Sequence, residues 1–133
     1  MLRRPDILAK FRGPGWCHVC GKFCSFRDAC HVFSKGGGRV DAPFNLYSAG
    51  SFVQFVCVCH REEREHGPNW RQRLLTIVAE REKTTPEAIE LAVYFCRWLP
   101  KHPTQAALEW RLEQLSADAR KLVLPYLPGA RHD

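Results

Sequence analysis

The chain has 133 residues, 45% hydrophobic and 26% charged, with a formal net charge of +6. That length suits one domain of about 100–150 residues and excludes a large multi-domain machine, while the apolar share is too high for a wholly disordered chain. Residues 1–40 hold eight Lys/Arg against only Asp6 and Asp28, so this segment carries the entire net charge and the remainder is formally neutral. A basic first third points to an anionic partner, most simply nucleic acid.

In chain order, residues 1–16 read as a basic, turn-rich N-terminal arm, punctuated by Gly13-Pro14-Gly15. Residues 17–67 hold six of the seven cysteines, three consecutive glycines and alternating runs such as Phe52 to Val56, which suit short strands and loops. A short polar helix is expected to begin near His60 and to stop at Gly67-Pro68. Residues 68–133 form a helical C-terminal region. A helix is expected over about Trp70 to Lys83, with Leu74, Leu75, Ile77 and Val78 apolar. The next, capped by Thr85 with Pro86 at its first position, runs to about Leu99 with Ile89, Ala92, Val93, Cys96 and Leu99 on one stripe. Thr104 caps another carrying Leu108, Leu112 and Leu115, and Lys121 to Pro125 reads as a last short turn. These helices are expected to pack on the cysteine-rich core or to form a homodimer interface. No run approaches the roughly 18 apolar residues of a membrane span and no secretory segment follows Met1, so a cytoplasmic protein without membrane contact is expected.

An odd cysteine count in such a chain argues for metal binding over a closed disulfide framework. Cys17-His-Val-Cys20-Gly has the spacing with which two thiolates grip one tetrahedral ion, and Cys57-Val-Cys59 supplies a second pair, so a structural Zn²⁺ on Cys17, Cys20, Cys57 and Cys59 is expected. Cys24 and Cys30 are reserve ligands, and Cys96 reads as plain core.

Between the pairs lie His31-Val, Lys35-Gly36-Gly37-Gly38-Arg39 and Asp41-Ala-Pro-Phe-Asn45-Leu, with His60 directly after Cys59. This ordered combination, over about residues 16–67, resembles the HNH family of ββα-metal (His-Me finger) endonucleases, in particular the small phage type with a zinc-stapled core. The resemblance implies an α+β fold, a zinc-stabilised ββα-metal core followed by helices, and a metal-dependent DNA endonuclease, in the host cytoplasm if phage-encoded. It implies that His31 is the general base, that Asn45 fixes the loop between two strands, and that His60 ligates a catalytic Mg²⁺ or Mn²⁺. Asp28 is a further candidate ligand for that cation. Two positions depart from the family pattern: Cys30 stands where many members have a metal-binding Asp or His before the base, and Arg64 stands where a second helix ligand is common, with Glu63 and His66 nearest. Lys35, Gly36, Gly37, Gly38 and Arg39 are the expected phosphate-binding loop, contacting DNA through its backbone. The alternative is a non-catalytic zinc-stapled DNA-binding or regulatory module. A zinc deaminase is disfavoured because no His-x-Glu element precedes the Cys17–Cys20 pair, the order which that chemistry uses.

Overall fold

The computed structural model describes residues 2–50, 59, 69–102 and 104–128. The expected strand at Phe52 to Val56 and the expected helix from His60 lie outside these residues, as do Cys57, His60, Glu63, Arg64 and His66. The fold is α+β. A first helix, α1 (Pro5–Lys10), is followed by strands β1 (Gly13–Trp16), β2 (Phe23–His31) and β3 (Leu46–Gly50), then helices α2 (Trp70–Glu82), α3 (Pro86–Trp98), α4 (Gln105–Gln114) and α5 (Ala117–Val123).

The strands form one antiparallel sheet in the order β1-β2-β3. Trp16 faces Phe23 across the first pair, and His31 faces Leu46 at the end of the second. Alternation along a strand divides the sheet into two faces. Cys30, Tyr47 and Ala49 belong to the main core, whereas Ala29 and Leu46 pack on Ile7 and Leu8 of α1. The N-terminal segment is thus more than a lead-in. Pro5 starts its helix at a permitted position, and two apolar side chains anchor it on the sheet.

The helices start and stop where local chemistry dictates. The Thr85 hydroxyl accepts from the Ala88 amide at 3.2 Å, and Thr104 and Ser116 cap α4 and α5 in the same way through Ala107 and Ala119. Helix α2 ends at Lys83, whose φ of 56° is left-handed, and the Thr84 amide donates to Ala79 O at 2.9 Å to close the turn. Of its expected apolar side, Leu74, Leu75 and Val78 are buried, together with Ala79. Along α3 the expected stripe is buried from Ile89 to Cys96, and burial pushes the Cys96 thiol up to about 12, as suits an inert core residue. The last turn expected near Lys121 is a full helix, α5, because the Ser116 cap begins it earlier. Helix α3 packs on α2 and α5, α2 rests on β3 and on the 3₁₀ turn Pro43–Asn45, and one apolar cluster runs from Cys30 and Phe33 through Val78 and Val93 to Val123. The helical region therefore shares its core with the sheet. Among the described residues no helix is long and apolar enough to cross a membrane.

Candidate functional site

The first part of the site is a turn of thiols. After β1, the Cys17 amide donates to Lys22 O at 2.9 Å and the Gly21 amide to Cys17 O at 3.0 Å, folding Cys17 to Cys20 into a knuckle. Gly21 has φ +77°, a conformation open to glycine, which lets the chain turn back into β2. The Val19 amide points at Cys17 Sγ at 3.4 Å, a contact that helps to hold the sulfur in place. The sulfurs of Cys17, Cys20 and Cys59 all lie within 4.8 Å of one another and could hold a metal ion. Three of the four expected ligands thus converge, while Cys57 lies outside the described residues. The reserve candidates do not join the group. Cys24 and Cys30 are buried, and their thiols donate to Lys22 O, just before β2, and to Asp28 O within it.

The knuckle is fastened by His18 and Arg81, neither of which stood out in the sequence. The His18 amide donates to Ser48 O, and His18 Nδ1 accepts the Ser48 amide at 3.0 Å, so the side chain extends the sheet pairing. Burial, then the charges of Arg81 and Arg27, push His18 down to about 4. Its ring is therefore neutral near pH 7, as its acceptor role requires. Arg81 on α2 reaches His18 Nδ1 and Pro43 O while its guanidinium lies 5.1 Å from the Phe11 ring centre, tying helix, knuckle and α1 together.

The second part surrounds the end of β2. His31 is 9% exposed at its side chain, and its Nε2 lies 2.7 Å from Asp41 Oδ1. Asp41 is fully buried. Burial pushes its carboxyl up, but hydrogen bonds from the Arg39 guanidinium, the His31 ring and the Arg4 amide outweigh this and hold it below the usual carboxylate range. An ionised Asp41 can only accept, so the hydrogen shared with His31 sits on Nε2. Arg39 Nε binds both Asp41 oxygens at 3.0 and 2.9 Å, so this residue, expected to hold phosphate, first neutralises a buried carboxylate. Asp41 is the sole acidic residue between Asp28 and Glu62 and sits between Val40 and Ala42, a signal that could have marked it. Asp28 is three residues before His31 on a strand of unbroken register, which places the two side chains on opposite faces.

Asn45 joins the two ends of the loop from β2 to β3. Fully buried, it accepts the Phe33 amide at 2.9 Å and donates to Val40 O at 2.9 Å and Phe33 O at 3.3 Å. The tip of that loop is a 3₁₀ turn, Lys35–Gly37, whose glycines meet Arg97 of α3. Arg97 donates to Gly38 O at 3.0 Å and to Ser34 O at 2.7 Å. A Cβ on Gly37 would stand 2.7 Å from the Arg97 guanidinium and push it aside, and Gly38, at φ +115°, holds a conformation that favours glycine. The glycine run thus has an internal cation against it. The Lys35 side chain lies outside what is described.

Comparison with known proteins finds no match, whether with family models, curated proteins or solved structures. A soft, three-thiol group stands at one end of β2, and at the other an imidazole is paired with a buried carboxylate beneath a pinned loop.

Proposed function

We propose that the chain is a metal-dependent DNA endonuclease of HNH type, hydrolysing phosphodiester bonds with His31 as general base. The observation that carries this reading is Asn45 bridging Phe33 and Val40, with His31 at the end of β2 beside it. It supports the roles that the resemblance implies for these two residues. Asp41 accepts the Nε2 hydrogen of His31, which fixes the ring and its tautomer for the role of general base. Arg39 balances the charge of Asp41 and so keeps it ionised. Cys17, Cys20 and Cys59 have the donor chemistry of a structural zinc centre, with Cys57 the remaining ligand expected from the sequence. His60, outside the described residues, is the ligand that the resemblance assigns to Mg²⁺ or Mn²⁺, whose chemistry would be to stabilise charge on the phosphoryl oxygens.

The full chain is incubated with plasmid, linear duplex and four-way junction in Mg²⁺, Mn²⁺ or EDTA. Cleavage dependent on the cation is expected, and His31→Ala should lower it by about 10²–10⁴-fold while DNA binding persists. Equal cleavage by the variant would remove His31 as the base. A second reading, a non-catalytic zinc-stapled DNA-binding module, is favoured by one observation: His31 is closed onto Asp41 with little exposed surface. DNA binding without cleavage in any metal would select it.

A further inference from the structure

The sheet carries an exposed aromatic pair that the site above does not use. Trp16, at the end of edge strand β1, is 63% exposed, and Phe23, its cross-strand partner on β2, is 52% exposed. Their rings meet edge to face with centres 5.2 Å apart and planes at 79°. Beside them Arg27 is fixed, because its guanidinium donates to Gly13 O and to Trp16 O at 3.1 Å each. The guanidinium lies over Gly15, where a Cβ would come within 2.5 Å of its carbon, so a side chain there would displace it. Single exposed apolar residues are ordinary, but two large rings held in a fixed mutual geometry beside a flat cation form a surface built for contact.

Charge and placement say what the surface meets. It lies within the segment that carries the chain's whole net charge of +6, and Arg12 and Lys22, the neighbours of these strands, are exposed. The pairing of β2 with β1 shifts register between Cys24 and Arg27, whereas Arg27 and His31, four residues apart in unbroken pairing with β3, lie on one face of the sheet. Phe23 and His31 are about 26 Å apart along the strand, at about 3.3 Å per residue. Aromatic rings flanked by cations bind bases by their faces and backbone by its charge, and bases offer a face only where they are unpaired.

We propose that Trp16 and Phe23 form a stacking platform for unpaired nucleobases, so that the nucleic acid taken by this protein is single-stranded or branched DNA. The substrate part of this statement rests on the endonuclease reading, but the platform is tested by binding alone. Anisotropy of a labelled oligonucleotide of mixed sequence is measured with the full chain, as single strand, as blunt duplex and as an abasic single strand. Trp16→Ala and Phe23→Ala should each weaken the single strand by about 5- to 100-fold and the duplex by less than about twofold, and Trp16→Tyr should restore binding. The abasic strand should bind wild type and Trp16→Ala alike. Both rings are exposed, so unchanged melting curves should accompany these losses. Equal losses on single strand and duplex, or no loss on either, would overturn the platform. So would a wild-type dimer that Trp16→Ala turns to monomer with DNA affinity unchanged, which would assign the rings to a second copy of the chain. Cation-dependent cleavage by a Trp16→Ala protein with unaltered binding would sink the platform and leave the endonuclease standing; selective loss of single-strand binding in a protein that never cleaves would do the reverse.

Discussion

Asn45 offers a sharp test of how the loop over His31 is held. Changing it to Ala removes the acceptor of the Phe33 amide and the donor to Phe33 O and Val40 O, at a position sealed from water. An orphaned buried polar group costs about 1–3 kcal/mol, with amides at the upper end because a carbonyl has a second lone pair to place. One amide and two carbonyls together give a loss of about 3–5 kcal/mol, a large part of the 5–15 kcal/mol that holds a typical domain. For a chain of this size the melting temperature should fall by roughly 10–20 °C. Urea unfolding, read as a change in midpoint at constant slope, measures the loss directly. Asn45→Asp separates hydrogen bonding from volume. Its carboxylate still accepts from Phe33 but sets a buried negative charge against two carbonyls, so its folded-state pKa rises above the unfolded value of about 3.9. The folded state then holds the proton more tightly, and stability falls as pH rises from about 4 to that raised pKa. Asn45→Ala has no such slope. A loss below about 1 kcal/mol for Asn45→Ala, or an Asn45→Asp protein insensitive to pH, would refute the pinning role.

Two further outcomes follow from the site. Protein purified without chelator should retain one thiolate-bound metal per chain by elemental analysis, and Cys17→Ser should lower both occupancy and melting temperature; metal-free protein with an unchanged melting curve would remove the centre. Asp41 has a lowered pKa, so the stability it contributes is present above the ordinary carboxylate value of about 3.9 and is lost as pH falls through its folded value. Unfolding titrations should therefore show wild type losing stability below about pH 4 more steeply than Asp41→Asn.

Much of the helical half was legible because its signals are local. Thr85 followed by Pro86, then apolar residues at helical spacing, marks α3 without help from the rest of the chain. The thiol group was legible in the same way, since the spacing of Cys17 and Cys20 already forces a shared turn. Helix α1 was not, because six residues are too few to show a period and its apolar pair is meaningful only beneath Leu46. The partners of His31 and His18 were not legible either. Asp41 looks like a loop acid until the fold buries it, and Arg81 resembles an ordinary base in the last turn of a helix until its contacts with His18 and Pro43 are seen. Cysteines declare a distant partner by their type, whereas an aspartate or arginine does not.

The clasp between Arg97 and the glycine loop spans 63 residues, from Ser34 to α3. Loop closure over that distance is slow relative to forming a hairpin, and a chain emerging from the ribosome presents the loop before its clasp exists. The hairpin of β2 and β3 can therefore pair early, with Asn45 joining its two shoulders, while the tip waits for the helices. The tip of the loop can lock only after α3 has been made. Its final shape is withheld until the second half of the chain has been made and packed, so an incomplete product carries His31 and Asn45 without the fixed loop they serve.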